Sequence, residues 1–110
     1  MSAHWTIDAG TTSTPQPEDS DMVIALCIAA AAQGDVSALF DLGVACSTGG
    51  YGVDCDLVEA HKWFNLAASR GHEGAKLCRA DVSDEMSARE IAEAQRRARA
   101  WLAETGRRAA

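Results

Sequence analysis

Apolar residues recur along most of the chain with the three- and four-residue spacing of amphipathic helices. The first such segment is an unbroken apolar run of eleven residues, 22–32, within a helix predicted over 20–33. Gly34 ends this helix, because glycine readily adopts the left-handed conformation that follows many helices. Since the run is apolar on all sides, we expect neighbouring helices to cover more than one side of it. It is too short for a bilayer, which needs about 20 residues.

A second helix is predicted over 35–47, where Asp35 is a favourable N-cap. Its inner face, at helical spacing, comprises Ala38, Leu39, Leu42 and Cys46. Phe40 and Val44 point nearly the opposite way, and either pack on the first helix or are available to a partner. The glycine-rich loop that follows has no strand before it and no Lys-Ser or Lys-Thr pair after it, so it lacks the pattern of a phosphate-binding loop.

Two further helices are predicted in the middle of the chain. Asp56 caps a helix over 57–70, which Gly71 closes, and a shorter helix over 72–80 leads into a turn. The apolar stripe of the longer helix comprises Leu57, Ala60, Trp63, Phe64, Ala67 and Ala68. His61 lies outside this stripe, so we expect it at the surface or at the rim of the core.

The last helix begins with the tetrapeptide Ser87-Ala88-Arg89-Glu90, which has the pattern of a capping box. In that motif the Ser87 hydroxyl accepts a hydrogen bond from the Glu90 amide, and the Glu90 carboxylate accepts one from the Ser87 amide. The helix is predicted over 87–105, with Gly106 as its stop. Its inner stripe comprises Ile91, Ala94, Ala98, Trp101 and Leu102.

These helices, without a segment that alternates as a strand does, predict an all-α fold. Aromatic residues make up only 5% of the chain and alanine is the commonest residue, so the helices must pack closely through small side chains. Residues 1–18 are polar, contain both prolines and are predicted to be a disordered segment, with Trp5 as its apolar anchor. The helices form one domain over 19–106, which the helix over 87–105 closes at its C-terminal end.

Charge is segregated along the chain. Residues 1–61 contain nine acidic residues and no Lys or Arg, and all ten basic residues lie from Lys62 onward. Either an acidic face meets a basic one, within the molecule or across a dimer, or both faces are solvated. The net charge of −6 disfavours binding to nucleic acid or to an anionic membrane, because both need a basic surface. The excess of arginine over lysine and the abundant alanine indicate a bacterium with a GC-rich genome.

The four cysteines form no C-x-x-C pair, and no histidine stands at ligand spacing to them. They are Cys27, Cys46, Cys55 and Cys78. The chain has no paired-carboxylate motif and no nucleophile–base–acid motif, so we expect no metal, no cofactor and no catalytic residue. The first ten residues lack both a basic residue and an apolar run, so we expect no secretory signal. A cytoplasmic location with reduced thiols follows from that expectation.

The chain resembles itself when it is shifted by 37 residues. Between residues 30–38 and 67–75, four positions coincide in residue type: Ala30 with Ala67, Ala31 with Ala68, Gly34 with Gly71, and Ala38 with Ala75. Both glycines end a predicted helix, and an alanine follows each of them four residues later. A period near this length, with two helices in each unit, is typical of α-solenoids.

Within this pattern, residues 38–75 resemble one full Sel-1-like repeat, of a family related to the tetratricopeptide repeats. The resemblance is carried by Ala38, Leu42, Gly43, Gly49, Gly52, Val53, Asp56, Ala60, Trp63, Phe64, Ala67, Ala68, Gly71 and Ala75. It implies a short α-solenoid of antiparallel helix hairpins with a C-terminal capping helix. Cys46 stands where the family has an aromatic residue. Tyr51 is an extra residue in the loop, and we expect it to swing in and replace the missing ring.

The resemblance also implies a non-enzymatic adaptor that binds a partner helix or peptide in the groove between successive helices. The candidate partner-binding residues are Ser37, Phe40, Asp41, Val44, Glu73, Lys76 and Leu77. The partner is another protein or, in one alternative, a second copy of the chain that shares the apolar run over 22–32. Another alternative is β-lactam binding, as in some exported relatives; it would require cysteines at positions 68 and 75, where this chain has alanines.

Overall fold

The computed structural model describes residues 17–109 and the side chains of 21–106; the predictions for residues 1–16, including Trp5, lie outside the described residues. This part of the chain folds into five α-helices and contains no β-strand. The helices are α1 (Pro17–Ala32), α2 (Val36–Thr48), α3 (Leu57–Ser69), α4 (Glu73–Ser83) and α5 (Ala88–Ala109). A turn of 3₁₀ helix (Gly50–Gly52) lies between α2 and α3. The predicted all-α class is confirmed.

Three helix ends differ from their predicted positions by three residues or more. α1 begins at Pro17, inside the segment predicted to be disordered, because the fixed φ of proline suits the first turn of a helix. α4 continues to Ser83 instead of ending at residue 80, which brings Val82 into the core. α5 passes through Gly106 and ends at Ala109. A glycine inside a helix costs only about 1 kcal/mol relative to alanine, which does not stop a segment rich in Ala and Arg.

The turns that precede α2 and α4 have the same hydrogen bonds, displaced by 37 residues. The Gly34 amide donates to the Ala31 carbonyl at 2.9 Å, and the Gly71 amide donates to the Ala68 carbonyl at 3.0 Å. The flanking amides repeat the pattern. The amides of residues 33 and 35 donate to the carbonyl of residue 30, and the amides of residues 70 and 72 donate to the carbonyl of residue 67. Both glycines are left-handed, with φ of 96° and 93°.

The residue after each of these glycines caps the next helix. Asp35 Oδ1 accepts from the Ala38 amide at 3.2 Å, and His72 Nδ1 accepts from the Ala75 amide at 3.0 Å. The predicted cap Asp35 is confirmed, whereas His72 is the cap of α4 and not its first residue. The repeat in the sequence is therefore also a repeat of backbone geometry at these two turns.

α3 lies at the centre of the fold and contacts α2, α4 and α5. Its predicted apolar stripe is buried, apart from Leu57, which is half-buried. Ala60 and Ala67 are completely inaccessible, and Phe64 is 1% exposed. The predicted inner face of α2 packs into the same core. Burial of these small side chains lets neighbouring helices approach closely, as the alanine-rich composition predicts.

α5 packs against α3 with most of its predicted inner stripe. The capping box is confirmed: Ser87 Oγ accepts from the Glu90 amide at 3.1 Å, and Glu90 Oε1 accepts from the Ser87 amide at 2.8 Å. Ala94 and Ala98 are buried. Leu102 is 45% exposed, so its assignment to the inner stripe is wrong. Trp101 takes the position against α3, and the next residue of a helix points about 100° away.

Among the described residues, α1 is covered on one side only, whereas we expected neighbouring helices to cover more than one side of it. Ala31 is buried, and Ile24 and Cys27 pack partly against the core. Met22 and Leu26, in contrast, are 60% and 62% exposed. α1 packs mainly against α2 and the 3₁₀ turn, so the described residues leave its outer side uncovered.

Candidate functional site

The candidate partner-binding residues lie on α2 and α4, the two helices that follow the matching turns. We call this set the α2–α4 surface: Ser37, Phe40, Asp41, Val44, Glu73, Lys76 and Leu77. Six of its residues are exposed and Phe40 is half-buried. Each of these two helices begins after an equivalent turn and an equivalent cap.

Phe40 connects α2 to the start of α4. Its ring stacks on the imidazole of His72, with the centroids 4.3 Å apart and the planes 12° apart. The same ring lies 5.7 Å from the ring of Phe64 on α3. Phe40 is thus only partly available to a partner, because its ring packs on Phe64 of α3 and on the cap of α4.

The sequence reasoning missed the role of His72 at this surface. The imidazole has two roles at this surface: its Nδ1 atom caps α4, and its face stacks on the ring of Phe40. Gly74 leaves room for this arrangement, since a Cβ on Gly74 would lie 3.0 Å from Cε1 of His72. The 37-residue shift contains the signal, because it places His72 at the position of the cap Asp35.

The exposed part of the α2–α4 surface combines apolar and charged side chains. Val44 and Leu77 are its large exposed apolar residues, at 37% and 71% exposure. Lys76 Nζ pairs with Glu73 Oε2 at 3.1 Å, and an exposed pair of this kind contributes little to stability. A partner that reached this surface would therefore meet two apolar anchors with polar groups around them, as at other protein interfaces.

An apolar cavity of about 350 Å³ lies between α1, α2 and α3. Its lining is Ile24, Ile28, Leu42, Ala45, Cys46, Val53, Asp54, Asp56, Glu59 and Trp63. Cys46 is buried in its wall, and burial, together with the nearby Glu59 carboxylate, raises the pKa of the thiol to about 11. The thiol is therefore uncharged and unreactive at neutral pH.

Tyr51 does not fill this cavity, so the expectation that it replaces the missing aromatic ring is wrong. Its side chain is 49% exposed and it is not among the lining residues. Tyr51 has a left-handed backbone with φ of 58°, inside the 3₁₀ turn. The extra residue is thus accommodated within the 3₁₀ turn, and its side chain leaves the space beside Cys46 unfilled.

His61 is 3% exposed, so its predicted place at the surface or rim is wrong. It faces α4: Asn65, one turn further along α3, accepts a hydrogen bond from Arg79 at 2.7 Å. Burial, together with the Arg79 charge, lowers the pKa of His61 below its usual range. Nδ1 of His61 is buried and has no hydrogen-bond partner among the described residues.

Ion pairs and aromatic rings join α3 to α5. Arg97 Nη1 donates to Glu59 Oε2 at 2.7 Å, and Lys62 Nζ donates to Glu59 Oε1 at 2.9 Å. Although burial raises the pKa of Glu59, these two hydrogen bonds outweigh it and hold the pKa below its usual range. The acidic first half of the chain thus meets the basic last helix within one molecule at this point.

The same junction contains two indole rings. Trp63 and Trp101 meet edge to face with centroids 4.9 Å apart, and Lys62 Nζ lies 4.0 Å from the centre of the Trp63 ring. On α5, hydrogen bonds from Arg96 and Arg97 lower the pKa of Glu93 to about 2. These contacts hold α5 on α3, and an open pocket of about 260 Å³ lies beside them, lined by Lys62, Arg96, Arg97, Ala100, Trp101 and Glu104.

The described residues contain few features of other site types. All four cysteines are free thiols. Among residues 17–109, no group of three or more His, Cys, Asp or Glu side chains is placed to hold a metal ion. Within the same range, no helix combines the length and apolarity needed to cross a bilayer.

Comparisons of this chain with protein-family models, with curated proteins and with solved structures find no match. The Sel-1-like resemblance therefore depends on the residues quoted above for 38–75 and on the repeated turn geometry around Gly34 and Gly71.

Proposed function

We propose that this chain is a short Sel-1-like α-solenoid. In this arrangement α2 and α3 form one full unit, α1 is the last helix of the unit before it, and α4 and α5 form a degenerate unit that closes the array. The support is the pair of turns with the same hydrogen bonds, the same left-handed glycine and the same type of cap. Contacts of α3 with α2, α4 and α5 agree with stacked hairpins.

The proposed function is that of a non-enzymatic adaptor that binds a helix or extended segment of another protein. The observation that carries this proposal is the equivalence of α2 and α4, which the Phe40–His72 stack brings together. In stacked hairpins, equivalent helices line one side of the array, so the exposed Val44 and Leu77 become anchors of a shared groove. A groove of only two helices is small, and we expect reversible binding.

Site-specific photocross-linking tests this function. A photoreactive amino acid replaces Leu77 in the full chain, which is then exposed to a lysate of the source organism. We expect one discrete protein–protein product, and we expect Val44→Asp in the same chain to abolish it, because the substitution places a charge in the groove. A circular-dichroism melt of each variant verifies that the fold is retained.

The matched control carries the photoreactive residue at Leu102, which is exposed to 45% on α5 and lies outside the α2–α4 surface. This position should yield no discrete product. Equal products from positions 77 and 102, or a product that persists with Val44→Asp, would show that the α2–α4 surface does not bind the partner.

A further inference from the structure

The apolar cavity between α1, α2 and α3 has a buried inner wall and an open mouth. Leu42, Cys46 and Trp63 are buried and form the inner wall, whereas Ile28 and Asp54 are exposed and lie at the mouth. The volume of about 350 Å³ falls within the range of small-ligand sites, and an apolar cavity of about 150 Å³ already accepts benzene. A small molecule can therefore enter this cavity from solvent.

The three carboxylates that line the cavity differ in how their charges are compensated. Glu59 pairs with Lys62 at 2.9 Å and with Arg97 at 2.7 Å. Asp56 accepts hydrogen bonds from two amides in the first turn of α3. Asp54, in contrast, has no ion pair and no hydrogen bond within the described part of the chain. Since the lining contains no Lys, Arg or His, Asp54 gives the mouth a negative charge that no lining residue compensates.

We infer that this cavity binds a small apolar molecule with one positive charge at its end, of the class of the aralkyl ammonium ions. The apolar part of the ligand lies against Leu42, Cys46 and Trp63, and the ammonium group stays at the mouth beside Asp54. Burial of apolar surface supplies most of the affinity, because the wall is apolar and already formed. The carboxylate determines which sign of charge is accepted and which end of the ligand enters first.

The inner wall itself carries no charge at neutral pH. Burial, with the nearby Glu59 carboxylate, raises the pKa of the Cys46 thiol to about 11, so the thiol stays protonated. An ammonium group turned inward would lose its hydration without gaining a partner, which is costly. A ligand with a carboxylate at the mouth would meet the like charge of Asp54. None of the residues of the α2–α4 surface lines the cavity, so this inference does not depend on the proposed function.

Three probes of similar size separate the effect of charge from that of apolar burial. Phenylbutylamine, phenylbutanol and phenylbutyrate share a ring and a butyl chain and end in an ammonium, a hydroxyl and a carboxylate group. Isothermal titration calorimetry of the full chain, at neutral pH and low salt, measures their dissociation constants. We expect the amine to bind with a dissociation constant below about 1 mM and about tenfold more tightly than the carboxylate. The alcohol should lie between them, and high salt should reduce the differences.

Two pairs of variants locate the bound amine. Cys46→Phe fills the cavity and should abolish binding, whereas Ala103→Phe adds the same ring at an exposed position of α5 and should leave the dissociation constant within about twofold. Asp54→Asn should weaken binding of the amine about threefold or more and leave binding of the alcohol unchanged. Asp84→Asn removes an equal charge at the end of α4, outside the lining, and should have little effect on either probe.

Four results would overturn the inference. They are no measurable binding of the amine at millimolar concentration, equal affinities for the amine and the carboxylate, full binding by a folded Cys46→Phe variant, and equal effects of Asp54→Asn and Asp84→Asn. A circular-dichroism melt verifies that each variant is folded. The comparison of the three probes uses the wild type, so it decides the charge preference even where Cys46→Phe does not fold.

Discussion

The ring of Phe64 lies directly over the α-carbon of Gly43, where α2 crosses α3. A Cβ at Gly43 would be 2.5 Å from both Cδ1 and Cε1 of that ring, closer than carbon atoms pack. Both residues are buried, so neither has free space into which it could move. The missing side chain at position 43 therefore sets the distance between the two helices.

Gly43→Ala should lower the free energy of unfolding by about 1–3 kcal/mol, because the added methyl group forces the Phe64 ring or the helix to shift. The control is Gly106→Ala on α5, where no atom lies within 4 Å of the added methyl. There the same substitution should raise stability by up to about 1 kcal/mol through helix propensity. Urea denaturation measures the free energy of unfolding of both variants. A change of the same sign in the two variants would contradict the packing argument.

Trp63→Ala should be among the most damaging substitutions. Trp63 is 5% exposed and contacts Trp101 edge to face, so its removal leaves a large void between α3 and α5. We expect a loss of about 3–5 kcal/mol in the free energy of unfolding, from a total of about 5–15 kcal/mol for a domain of ordinary stability. Tyr51→Ala, at a side chain of 49% exposure, should change stability by no more than about 0.5 kcal/mol.

Cys46→Phe should stabilise the protein, because it fills the cavity between α1, α2 and α3. Cavity-filling substitutions commonly add about 0.5–2 kcal/mol. The comparison is Cys55→Phe, which alters an exposed cysteine and should bring no such gain. Thermal unfolding measures both, and a Cys46→Phe variant that melts below the wild type would mean that the cavity cannot accept a ring.

His61 should make folding stability depend on pH. Because burial and the Arg79 charge hold the pKa of His61 below its ordinary value of 6.5, the unfolded chain binds a proton that the folded chain excludes. The contribution is complete above pH 6.5 and is lost as the pH falls below it. Stability measured between about pH 7 and pH 5 should decline more steeply in the wild type than in His61→Leu. Parallel curves for the two proteins would contradict this reasoning.

Helix positions could be predicted from the sequence because their signals are local. Asp35, Asp56 and the Ser87–Glu90 pair all cap the helices to which the sequence assigned them. Each cap needs only a side chain within three residues of the amide that it accepts from. Ends that depend on tertiary contacts were less predictable, as in α4, which continues until Val82 reaches the core.

Burial could not be predicted with the same success, because it depends on which other helices reach a given side. Leu26 belongs to an entirely apolar run and is 62% exposed, since α3, α4 and α5 do not extend to the outer side of α1. His61 is polar and is 3% exposed, since it faces α4. Helical spacing identifies the sides of a helix, but it does not say how many of them are covered.

The candidate site could be predicted as a set of positions on two helices, but not as a set of contacts. Whether Phe40 faces α1 or α4 depends on how the helices pack together, and sequence spacing within α2 carries no information about that. The 37-residue repeat was the only signal that relates Asp35 to His72 across the chain. The stack of Phe40 on His72 required the distance between helices, which only the fold supplies.

The central position of α3 determines the order in which the helices unfold. α3 packs against three other helices, whereas none of the described residues covers the outer side of α1, so isotope exchange should be slowest in α3 and fastest in α1. The structure should therefore open from its edges inward, and the amides of α3, the helix that contributes Trp63 and Phe64, should lose their protection against exchange last.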